Sequence, residues 1–153
     1  MMAMKTCVFA VIMFLCSSVS GYADTLKDEN EVQQLGDFVL ESVVSAGILS
    51  AFEAMKPFVQ LEEMDMDTLA SESKGQRDQY SARFGKSTGY ELIGVEKVGT
   101  SLLRLQYIEK TEKHAFPWSF YFYKTDQGWM LNDFTWHGDI RRVFSGQASI
   151  WPE

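Results

Sequence analysis

Between residues 90 and 137 large apolar side chains recur at every second position, at Ile93 and Val95, then Leu103, Leu105 and Tyr107, then Trp118, Phe120 and Phe122, then Phe134 and Trp136. Successive side chains of an extended chain point to opposite faces, so each group marks a strand with one apolar face. Gly99, residues 110–115 and Asp126-Gln127-Gly128 separate the groups. Turn signals at these short intervals predict four strands joined as an antiparallel meander. A slip of one residue would turn every side chain to the wrong face, so apolar matching sets the register. It pairs Leu105 with Phe120, Tyr107 with Trp118, Phe120 with Phe134 and Trp118 with Trp136. The opposite face then holds Arg104, Gln106, Ser119, Tyr121, Tyr123, Asp133, Thr135 and His137.

The chain before the strands has a different period. Val32, Leu35, Val39, Val43 and Ala46 follow three-and-four spacing, which predicts an amphipathic helix over 28–46. Asp28 is placed to cap it with Glu31 three residues on, and Gly47 to stop it. A short helix is expected from Ser50 to Lys56, ahead of Pro57. A third, from about Asp65 to Phe84, carries Met66, Leu69, Tyr80 and Phe84 in phase, with polar Ser73, Gln76 and Arg77 between them on that face. Helices first and strands after imply an α+β fold, the N-terminal helices packed on one face of the sheet.

The first 23 residues read as a signal peptide: Lys5 is the charged start, Cys7 to Cys16 the apolar run, and Gly21-Tyr22-Ala23 the small-residue end. That run of ten falls short of the roughly 20 residues needed to span a bilayer. The expected product is exported to the periplasm or beyond, with a single domain over 24–153 and no membrane anchor after cleavage. Both cysteines lie in the leader, so the domain has no thiol, disulfide or cysteine–metal chemistry. Removing Lys5 leaves 13 basic against 21 acidic residues, or −8, which argues against nucleic acid and anionic membranes as partners.

With these elements in place the chain resembles the nuclear transport factor two-like superfamily, the cystatin-like α+β cone folds. The resemblance is carried by the element order, by Arg83-Phe84-Gly85-Lys86 at the exit of the last helix, and by Trp118 to Lys124 followed by Gly128-Trp129 and Phe134. It is to small exported bacterial members without an assigned activity, and it implies a bent four-stranded sheet curled around the helices. The superfamily includes isomerases, dehydratases, polyketide cyclases and non-catalytic binding modules, so fold alone does not select a function.

Catalytic relatives such as ketosteroid isomerase use an acid or histidine inside the cone beside a hydrogen-bond donor. Here the register supplies a donor, Tyr107, and an inward polar Asn132, but Asp133 points outward unless a bulge intervenes, and no inward carboxylate is evident. His114 and His137 lack a third ligand at recognisable spacing, and the acidic run Glu62 to Asp67 lacks the glycine and terminal glutamate of a calcium loop. No catalytic residue, metal site or cofactor is therefore expected. The expectation is a non-catalytic module with one of two sites. One is an apolar small-ligand pocket lined by Tyr107, Trp118, Phe120, Phe122, Phe134 and Trp136, with Ser73, Gln76, Arg77 and Asn132 as orienting groups. The other is an outer-face interface of Tyr121, Tyr123 and Trp129, which the resemblance suggests would join a homodimer. An isomerase or dehydratase with an inward acid is the alternative.

Overall fold

The computed structural model describes residues 23–144, so the leader reading, apart from its final Ala23, and the last nine residues of the expected domain lie outside the described residues. Helix α1 spans Glu29–Ala46, α2 Ile48–Met55 and α3 Glu63–Phe84, with a short 3-10 turn, Lys56–Phe58, between the last two. Strands β1 (Ser87–Val98), β2 (Leu102–Thr111), β3 (Ala115–Thr125) and β4 (Gly128–Trp136) follow, and a 3-10 turn, Ile140–Val143, closes the described chain. The four strands form one antiparallel sheet in sequence order, with the helices on one face. The fold is α+β.

Local chemistry explains the helix boundaries. The Glu31 amide donates to the Asp28 carboxylate at 2.9 Å, while the Glu31 carboxylate accepts from the Lys27 amide at 2.7 Å. The capping box therefore closes one residue further out than its usual partner. Gly47, at φ 93°, ends α1 and lets α2 begin at once with Ile48, two residues before the expected start. Pro57 sits within the 3-10 turn, where its missing N–H costs no helical hydrogen bond. Helix α3 buries Met66, Ala70 and Arg77, with Ser73, Tyr80 and Phe84 half-buried along the same stripe, whereas Leu69 faces out.

All four residue pairs used to set the register are partners in the sheet. Tyr107, Trp118, Phe120 and Phe122 are at most 1% exposed and pack with Val39, Leu40, Phe52 and Met55 of the helices into one core. Each such burial contributes on the order of 1.5–3 kcal/mol.

A β-bulge alters the last strand. Tyr121 pairs with Asp133, but the next rung joins Phe122 to Leu131, so Asn132 is the extra residue. Because side chains alternate, one inserted residue reverses the facing of everything before it in β4. Leu131 and Trp129 turn inward and are buried, and Asn132 is exposed. This single irregularity corrects two expectations: Asn132 does not line the inner face, and Trp129 is a core residue rather than part of an outer interface. Asp133 remains on the outer side and exposed, its carboxylate accepting from the Phe134 amide.

The chain guards the β4 edge as well. Leu26 exchanges backbone hydrogen bonds with Trp129 at 2.8 and 2.7 Å, and Val59 bridges to Leu131. Gly36 lets α1 approach the sheet: a β-carbon there would lie 2.6 Å from the Tyr107 hydroxyl and 3.1 Å from Leu105 Cδ1. Gly36→Ala gains about 1 kcal/mol of helix propensity, but overpacking against a fully buried tyrosine costs about 1–3 kcal/mol. The expected outcome is a lower urea midpoint by denaturation; a higher one would mean that Tyr107 yields freely.

Candidate functional site

The inner face has a polar centre that begins with Glu109. Its side chain follows Leu103, Leu105 and Tyr107 in the same alternation and is fully buried. Arg77 of α3 meets it two-pronged: Nη1 donates to Oε2 at 2.9 Å and Nη2 to Oε1. The Ser87 hydroxyl donates to Oε1, and the Trp118 indole N–H donates to Oε2 at 3.1 Å. Each carboxylate oxygen thus accepts two hydrogen bonds, which fills its lone pairs. The guanidinium also lies 4.1 Å over the Phe116 ring and 5.3 Å over Trp136. A carboxylate so enclosed cannot reach a substrate. The absence of an inward carboxylate expected from the sequence is thereby corrected; Glu109 is one, committed to structure.

Tyr107, the expected oxyanion donor, is also engaged. Its hydroxyl donates to Asp37 of α1 at 2.9 Å, and burial, reinforced by that hydrogen bond, pushes its pKa well above the ordinary tyrosine value. The bond ties β2 to α1.

A second gathering of side chains lies where α3 meets the end of β4. Gln76, Tyr80, Arg83 and Phe84 from α3, Trp136 from β4, and His137, Gly138, Asp139, Arg141 and Arg142 beyond it line an open basin of about 570 Å³. Aromatic contacts build its floor: Tyr80 stacks on Phe84 with ring centroids 5.9 Å apart and meets Trp136 edge-on at 6.3 Å. His114 stacks beneath Phe84 at 4.2 Å and donates from Nε2 to the Gly138 carbonyl at 2.9 Å, tying the hairpin to the strand exit. The Trp136 indole donates to Ser73 at 3.1 Å. On the rim, Arg83 lies over Phe84, and Arg141 donates from Nε and Nη2 to the two oxygens of Asp139, both at 2.9 Å. These contacts hold the Asp139 carboxyl at a pKa of about 2. Burial and the neighbouring Arg142 lower the pKa of His137, leaving its ring neutral at pH 7.

The residues singled out by sequence therefore separate. Tyr107, Trp118, Phe120 and Phe122 are packed core, Phe134 is half-buried against Phe52, and Arg77 is locked to Glu109. Trp136 and Gln76 do meet, in the basin, with Ser73 behind the indole. Tyr121 and Tyr123 are exposed on the outer face, where Tyr121 joins Val98, Leu102 and Phe122 around an apolar groove of about 260 Å³. Among the described residues no cluster of three metal-ligating side chains forms, and no helix is long and apolar enough to cross a membrane.

Two functional groups escaped the sequence reading. Glu109 was within reach, since the period-two run extends one step past Tyr107. The arginine rim was not, because Arg83 and Arg141 are far apart in the chain and neither belongs to an apolar pattern.

No family model matches the chain, and no curated protein matches it. Among solved structures it is similar to an NTF2-like protein of unknown function from Shewanella baltica, with 12% sequence identity and a TM-score of 0.39, over 73% of this chain and 97% of that one. What the site can do follows from its own residues.

Proposed function

We propose that this is an exported, non-catalytic module of the NTF2-like cone kind that binds a small molecule in the basin between α3 and the end of β4. The observation that carries the non-catalytic part is the saturation of Glu109: the one acid buried in the core among the described residues already accepts from Arg77, Ser87 and Trp118. A general base must have a lone pair directed at the proton it removes. The binding part is supported by the basin's volume, which falls within the usual range for small-ligand sites, and by the polar groups that converge on it. Export is supported by the order of Lys5, the apolar run and Gly21-Tyr22-Ala23. Association of two copies through the outer face is a second reading, favoured by the exposed Leu102, Tyr121 and Tyr123.

Native mass spectrometry of the protein purified from its own host reports retained ligand and assembly mass together. The expected result is a retained small molecule that is recovered unchanged after prolonged incubation with the protein. Consumption of that molecule would contradict the non-catalytic reading, and a monomeric mass at high concentration would remove the second one.

A further inference from the structure

The segment that follows the expected leader is bonded to the domain from its first residue. The Asp24 amide donates to the Pro57 carbonyl at 2.7 Å, the Thr25 hydroxyl donates to the Gln127 carbonyl at 3.2 Å, and Leu26 pairs with Trp129 in both directions at 2.8 and 2.7 Å. The Leu26 side chain is 7% exposed and belongs to the core. Gly128 makes the approach possible, since a β-carbon there would lie 2.5 Å from the Leu26 carbonyl oxygen and 3.2 Å from Thr25 Cβ. Asp28 caps α1 two residues later, so no slack separates the docked segment from the helix.

The bond expected to be cut, between Ala23 and Asp24, therefore lies at the edge of this seal with no spacer. An endopeptidase binds extended backbone in the manner of strand addition, through the main-chain groups on either side of the bond it cuts. Here the carbonyls of Pro57 and Trp129 already hold the N–H groups of Asp24 and Leu26, so a peptidase and the sheet edge compete for the same backbone. Cleavage of such a segment follows the population of its open form.

Resting on the export reading above, we infer that leader removal and closure of the β4 edge exclude one another: the leader is cut only while Asp24 to Leu26 stand off the sheet, and the seal closes on the cut chain. Water adds across the Ala23–Asp24 amide, leaving a carboxylate on Ala23 and an ammonium on Asp24. The nitrogen that meets the Pro57 carbonyl then carries a positive charge, and a charge-assisted hydrogen bond is shorter and stronger than a neutral one. The seal is thus tighter in the product than in the precursor, and it covers an edge that would otherwise offer unpaired backbone to other chains.

The test treats the full chain, leader included and folded in detergent micelles, with a purified bacterial leader peptidase, and follows the cut by intact mass. A synthetic peptide of residues 12–30 in the same micelles gives the rate for an undocked site. The folded precursor is expected to be cut about tenfold or more slowly than the peptide. Two variants should restore the rate. Leu26→Ser weakens the docking, and the same change in the peptide should leave its rate unaltered. A spacer of about six Gly and Ser residues between Asp24 and Thr25 moves the bond away from the seal without touching a core side chain, which keeps the test valid if Leu26→Ser disturbs the fold. A folded precursor cut as fast as the peptide, or a spacer variant as slow as the parent, overturns the inference and leaves the leader reading standing. A peptide that is not cut after Ala23 overturns the leader reading and the inference with it.

Discussion

Glu109→Ala should destabilise the domain by about 3–5 kcal/mol, because it leaves the Arg77 guanidinium buried without its counter-charge. It also strips the acceptor from Ser87 and from the Trp118 indole, and each buried donor left unpaired adds to the cost. Against a total stability of about 5–15 kcal/mol, the loss amounts to a large fraction of what holds the fold. Urea denaturation checks it: the midpoint should fall steeply with little change in slope. A substrate-facing acid behaves differently, since its removal relieves a solvation cost and often stabilises the protein. Glu109→Gln keeps the volume but places an amide donor among the existing donors, so it should fall between the parent and the alanine variant.

Trp129→Ala is expected to cost a similar amount, about 3–5 kcal/mol. The indole is 3% exposed, and its backbone holds Leu26 through two hydrogen bonds, so the cavity opens at the point where the N-terminal segment closes the sheet edge. Loss of Leu26 packing should accompany it. An outer-face interface residue gives the opposite pattern, with association weakened and monomer stability nearly unchanged. Denaturation combined with sedimentation separates the two, and an unaltered midpoint would place Trp129 outside the core.

These residues show how far the sequence reaches. Alternation is a local property of the backbone, so the strands, the turns and the register of both later hairpins could be read directly, and the α+β arrangement with them. The same rule fails at the bulge. Nothing in Leu131-Asn132-Asp133 states that one residue will be left unpaired, yet that residue decides the facing of Trp129. Helix α3 shows a second limit: Arg77 occupies an apolar stripe because Glu109 waits across the interior, 32 residues later. A polar residue in a buried stripe reads as a flaw until its partner is known. The basin is the least legible feature, since Arg83 and the residues after Trp136 meet only once the sheet has turned back beside α3.

If Arg77 and Glu109 act as a structural pair, the unfolding free energy of the double variant Arg77→Met/Glu109→Leu, set beside those of Arg77→Met and Glu109→Leu, shows it. Removing both charges leaves no uncompensated ion, and apolar replacement of a buried pair is commonly neutral or better. The expected double variant folds cooperatively and recovers more than half of the loss seen in Glu109→Leu, the remainder reflecting the unpaired Trp118 and Ser87 donors. A double variant as unstable as the sum of its singles would contradict it, because the two residues would then be acting independently.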